Sequence, residues 1–169
     1  MNIVLIGYRG VGKSAVGQIL AKRLGMSYIG MDAAIVERAG MPIPKIVDNL
    51  GWPGFRDLES QEARELAERD NLVIDTGGGV IERPENIEML QKAGCIFWLR
   101  ASVTTIVARI QGGTERPALT AGKTFTEEVA EVLERRTPLY RDAAQHAMDT
   151  DSLTPEQVAD RIIAIWTSR

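Results

Sequence analysis

Eight consecutive residues, Gly7-Tyr8-Arg9-Gly10-Val11-Gly12-Lys13-Ser14, follow the spacing G-x-x-x-x-G-K-[ST] and run into Ala15. Glycines let such a loop turn tightly enough to aim backbone N–H groups at phosphate oxygens. The start of a helix adds a favourable dipole. The Lys13 ammonium suits the β- and γ-phosphates of a nucleotide, and the Ser14 hydroxyl suits a magnesium ion. Chance alone would place this pattern in about 1% of chains or fewer. Further along, Asp32 opens a helical stretch, where it can cap the helix or receive the proton of an attacking hydroxyl. Asp75 ends the apolar run Leu72-Val73-Ile74 and is the second candidate, after Ser14, for the metal. Gly77-Gly78-Gly79 follows directly, which points to a backbone that must come close to a ligand.

These residues need elements to hold them. Ile3–Ile6, a short segment at Tyr28-Ile29, Leu72–Asp75, 95–99 and 146–149 read as strands. Helical spacing predicts helices over 13–24, 32–39, 43–49, 55–69, 84–92, 103–111, 125–137 and 155–166. Gly25 stops the first of these, while Thr154 and Pro155 start the last. Apolar strands alternating with helices predict an α/β fold of three layers: a five-stranded parallel sheet with helices on both faces. Ligands in such sheets bind beyond the carboxyl ends of the strands, where the loop after the first strand, Asp32, Asp75 and the glycine triplet all fall. The polar stretch 112–123 reads as a mobile lid. No repeat or composition shift divides residues 1–169, so a single domain is expected.

Composition narrows the field. The chain is 44% hydrophobic and 25% charged, ordinary for a soluble globular protein, and its net charge of −3 argues against nucleic acid as the main partner. The lone cysteine, Cys95, excludes an internal disulfide and lies in an apolar run expected to be core. No stretch looks like a secretion signal or a membrane span, so a cytoplasmic location is expected, with nothing demanding more than a monomer. His146, the only histidine, reads as structural. Trp52 is compatible with the core or with a pocket wall.

Beyond the phosphate loop, the chain resembles the shikimate kinases over nearly its whole length. Asp32 resembles the second aspartate of that family's D-x-D element, and Gly54-Phe55-Arg56-Asp57-Leu58-Glu59 resembles its F-R-x-x-E element. Gly77-Gly78-Gly79, Arg116-Pro117 and Arg136-Thr137-Pro138-Leu139-Tyr140 match the glycine triplet, the lid R-P and the R-x-P-L-Y element in the same order. The resemblance implies transfer of the γ-phosphate of ATP to the 3-hydroxyl of shikimate, giving ADP and shikimate 3-phosphate for aromatic amino-acid biosynthesis. It implies that Lys13, Asp32 and Arg116 are catalytic. Arg56 and Arg136 would grip the shikimate carboxylate, with Asp32 and Gly77, Gly78 and Gly79 beside the acceptor. Arg116 would reach the ATP phosphates, Arg109 and Pro155 would pack around adenine, and Mg²⁺ would accompany ATP. Arginine forks suit a small carboxylate through paired hydrogen bonds in fixed geometry.

One position departs from the pattern. Gly30-Met31-Asp32 stands where the resemblance expects D-x-D, so the aspartate that helps hold the water shell of magnesium is missing. Asp75 reads either as the substitute, receiving magnesium-bound water, or as a polar strand end that caps the following glycine turn. Two alternatives stay open: a P-loop kinase for another small acceptor, such as gluconate or a nucleoside monophosphate, or a catalytically weak nucleotide-binding regulatory protein.

Overall fold

A computed structural model describes residues 1–110 and 124–169. Its centre is the apolar strand β1 (Asn2–Ile6), every residue of which is buried. Complete burial leaves no polar face, so β1 needs a neighbour on each edge and cover on each face. The edges are met by β3 (Leu72–Asp75) and β4 (Gly94–Arg100), both parallel to β1. β2 (Ser27–Gly30) pairs with β3, and β5 (His146–Asp149) with β4, which gives the order β2-β3-β1-β4-β5. The five-stranded parallel sheet read from the sequence is therefore present among the described residues.

Alternation along the strands divides the core into two layers. Ile3, Leu5, Val73, Phe97 and Leu99 face α1 (Lys13–Leu24), α5 (Val103–Ile110), α7 (Pro155–Thr167) and the first part of α6 (Phe125–Ala143). Val4, Ile6, Ile74, Ile96 and Trp98 face α3 (Ile43–Ala67) and α4 (Pro84–Ala93). A smaller cluster, Ile35, Ile43, Ile46 and Phe55, joins α2 (Met31–Ala39) to α3. Cys95 is buried, as its apolar run predicts. His146 stacks on Phe97 at 5.2 Å, a packing role.

Two helices differ from the sequence expectation. The stretches 43–49 and 55–69 form one run, Ile43–Ala67, kinked where Gly51 takes φ 68° and ψ 175°. The helix expected to stop before Pro138 instead continues to Ala143. Proline removes one helical N–H and crowds the preceding turn, at a cost of about 3 kcal/mol. Tertiary contacts offset it: Tyr140 stacks on Trp98 at 5.9 Å, and its hydroxyl donates to the Gly78 carbonyl at 2.5 Å. As a result α6 serves both layers, Val129 and Val132 packing in one, Tyr140 and Ala143 in the other. Arg136 lies between them. No described helix is long and apolar enough to cross a membrane.

Candidate active site

The carboxyl ends of β1, β2 and β3 open into a cleft of about 920 Å³ lined by Arg9, Gly10, Gly12, Lys13, Ser14 and Ala15 from the phosphate loop. Tyr28, Gly30, Met31, Asp32, Ala33, Asp75, Thr76, Gly78, Arg109 and Ile110 complete its walls. Loop geometry follows from glycine. Gly7 has φ 143°, and a Cβ there would collide with the Leu99 carbonyl. Gly12 caps α1 in the left-handed region, with φ 99°. The buried Lys13 ammonium donates to the carbonyls of Gly7 at 2.6 Å and Tyr8 at 3.1 Å. These contacts hold a positive charge against the loop that the helix N-terminus faces. Gly7, Tyr8 and Val11 are buried beneath the loop and do not line the cleft.

Arg109 braces the loop from outside. Its guanidinium donates to the Gly10 carbonyl at 3.1 Å and to the carbonyl and hydroxyl of Thr150 at 3.1 and 3.3 Å. Pro155 is exposed at the start of α7 and does not line the cleft. Arg116 and the stretch 112–123 lie outside the described residues.

The glycine triplet is buried against side chains from other elements. A Cβ on Gly77 would stand 2.5 Å from Glu59 Oε2 and 3.0 Å from Asp32 Oδ1. One on Gly78 would stand 3.4 Å from Arg136 Nη1, and one on Gly79 would run into the guanidinium of Arg56. Three candidate residues from three separate helices thus converge on one three-residue backbone. Arg56 is fixed by Glu59 at 2.9 Å and by the rings of Trp52 and Phe55, whose centroids lie 5.3 and 5.5 Å away. Trp52 therefore works as a shelf for Arg56. Arg136 is buried and donates to Glu82 at 2.7 Å, where Arg135 also donates from the exposed side at 2.9 Å. Burial alone would push the Glu82 carboxyl up; the bonds from Arg136 and Arg135 outweigh it and hold it below its ordinary value.

At the carboxyl end of β3, Ser14 donates to Asp75 Oδ2 at 2.7 Å, and Tyr28 donates to the same oxygen at 2.7 Å. Among the described residues no cluster of three or more His, Cys, Asp or Glu side chains could hold a metal unaided. One hydroxyl and one carboxylate beside a phosphate loop do fit a hard cation that shares its coordination with nucleotide phosphates and water. Sequence reasoning missed Tyr28 and Glu82. Tyr28 shares a strand face with Gly30 at period two, which is a usable signal. Glu82 lies in a one-turn helix after the triplet and gave none.

A parallel sheet with a G-x-x-x-x-G-K-[ST] loop between its central strand and the following helix defines a P-loop fold. The family model described as shikimate kinase matches residues 9–167. The shikimate kinase of Thermodesulfovibrio yellowstonii is 43% identical over 162 residues, covering 96% of this chain and 92% of that one. That of Nitratidesulfovibrio vulgaris is 42% identical over 154 residues, covering 89% and 87%. The structure of shikimate kinase from Acinetobacter baumannii in complex with shikimate superposes with a TM-score of 0.94 at 33% identity, over 99% of this chain and 93% of that one. The chain belongs to the shikimate kinase family.

Proposed function

We propose that this protein transfers the γ-phosphoryl group of ATP to the 3-hydroxyl of shikimate, giving shikimate 3-phosphate and ADP. The observation that carries the reading is the convergence of Asp32, Arg56 and Arg136 on the backbone of Gly77, Gly78 and Gly79, beside the phosphate loop. The two arginines grip the carboxylate of the acceptor and thereby fix which hydroxyl faces ATP. The hydroxyl oxygen forms a bond to the γ-phosphorus as the bond to the β,γ-bridging oxygen breaks, and Asp32 takes the hydroxyl proton. Lys13 and the loop N–H groups stabilise the charge on the transferring group. Arg116 adds to that charge stabilisation, while Arg109 and Pro155 flank the adenine.

The Ser14 hydroxyl would ligate Mg²⁺ and Asp75 would receive its bound water; the ion would supply charge neutralisation at the β- and γ-phosphates. Asp75→Asn is expected to move the magnesium titration of ADP binding to higher concentrations; overlaid titrations would remove Asp75 from the metal site. A monomer acting as a single P-loop unit is part of this reading. Use of ATP fits a cytoplasmic enzyme. An acceptor such as gluconate also presents a carboxylate, so the deciding test is acceptor choice. ADP release should require shikimate; release with gluconate or a nucleoside monophosphate would redirect the assignment. ADP release in no condition would favour a regulatory nucleotide-binding role.

A further inference from the structure

Strand β2 carries a pair of residues that the phosphotransfer reading leaves unused. Tyr28 and Gly30 lie two positions apart and so share one face of the strand. The Tyr28 ring lies along the strand between two glycines. A Cβ on Gly17 would stand 2.9 Å from its Cε2, and a Cβ on Gly30 would stand 3.3 Å from its hydroxyl oxygen. Tyr28 therefore fills the space that a side chain on Gly30 would occupy, and Gly17 leaves room for the ring.

The hydroxyl does not end in a void. It donates to Asp75 Oδ2 at 2.7 Å, the oxygen that also accepts from Ser14 at 2.7 Å. Three elements meet there: α1 through Ser14, β2 through Tyr28 and β3 through Asp75. All three residues line the cleft. A neutral donor satisfies one carboxylate oxygen without cancelling the carboxylate's charge. It also limits rotation of the group, which is the usual work of a residue standing behind a metal ligand.

We propose that Tyr28 is a positioning residue for the divalent cation: its hydroxyl, standing beside Gly30, holds the Asp75 carboxylate in the orientation that receives the hydrated ion. The proposal rests on the reading of Ser14 and Asp75 as the metal end of the nucleotide site. It makes Gly30 and Tyr28 a coupled pair. A side chain at residue 30 would crowd the phenol oxygen of Tyr28 at 3.3 Å, so one of the two must shift to admit the other.

The test compares ADP binding with Mg²⁺ and in EDTA by calorimetry for the full chain, alongside the melting temperature. In the parent, Mg²⁺ should tighten ADP. Tyr28→Phe keeps the ring and loses the hydroxyl; the magnesium-dependent gain should fall about tenfold, the low end for a residue supporting a metal ligand. Affinity in EDTA and affinity for shikimate should stay within about twofold, since neither depends on the carboxylate orientation. Next, Gly30→Asp should weaken the magnesium effect in the parent and restore it in the Tyr28→Phe protein.

Three results would overturn the proposal. One is an unchanged magnesium gain in Tyr28→Phe. Another is a Gly30→Asp change that acts alike in both backgrounds. A loss of ADP affinity equal with Mg²⁺ and with EDTA would also overturn it, by showing that Tyr28 only supports the loop. If the parent itself shows no magnesium effect, the metal reading of Ser14 and Asp75 fails first and takes this inference with it.

Discussion

The guanidinium of Arg56 lies on the bare backbone of Gly79, in space that any side chain at residue 79 would take. This contact couples a helix on one face of the sheet to the loop after β3, and it explains why the turn is built from glycine. The obstructing atoms are the far end of a flexible side chain, so an added methyl would displace Arg56 and leave the fold standing. Gly79→Ala is expected to fold with a melting temperature near that of the parent. Its shikimate KM should rise at least about tenfold, because the displaced fork loses its hold on a carboxylate. An unchanged KM would show that Arg56 can serve from another position.

Arg56 and Arg136 are each paired with a protein carboxylate, Glu59 and Glu82, so neither is a loose surface charge. Replacing either by alanine should weaken shikimate binding by about 2–5 kcal/mol and leave ATP affinity nearly unchanged. Lysine should rescue little, since a point charge cannot reproduce the fork. Calorimetric titration with each ligand separately decides it: weakened ATP with unaltered shikimate would move that arginine to the nucleotide side.

Lys13 sits buried, donating to the carbonyls of Gly7 and Tyr8 in its own loop. Lys13→Met should retain the melting temperature of the parent within a few degrees and lose at least about 10²-fold in kcat, the scale of removing one electrostatic stabiliser. A kcat within about tenfold of the parent would be incompatible with the phosphate-loop role.

The half-buried Glu82 carboxylate has a pH signature. Its carboxyl is held below the ordinary 4.5 by Arg136 and Arg135 despite burial. A folded value below the unfolded one contributes stability that is fully present above about pH 4.5 and is lost as pH falls through the folded value. Glu82→Gln should therefore melt lower than the parent at neutral pH, and the gap should close as pH drops below 4.5. A gap that is constant down to pH 3 would assign the loss to packing instead of charge.

Much of this arrangement was legible from residue order alone. The phosphate loop declares itself because its function demands a fixed local spacing, and β1, β3 and β4 declare themselves because burial on both faces demands unbroken apolar runs. The glycine triplet was legible as a close approach. What it approaches was not: Arg56, Arg136 and Asp32 arrive from three helices whose packing decides the meeting. The continuation of α6 past Pro138 was hidden for the same reason, since the Tyr140 contacts with Trp98 and Gly78 that hold it come from β4 and the triplet. Ser14 and Tyr28 reach Asp75 across 61 and 47 positions. Spacing rules act over a few residues, whereas a hydrogen bond between distant elements exists only once the sheet is ordered and the core has set each helix in place.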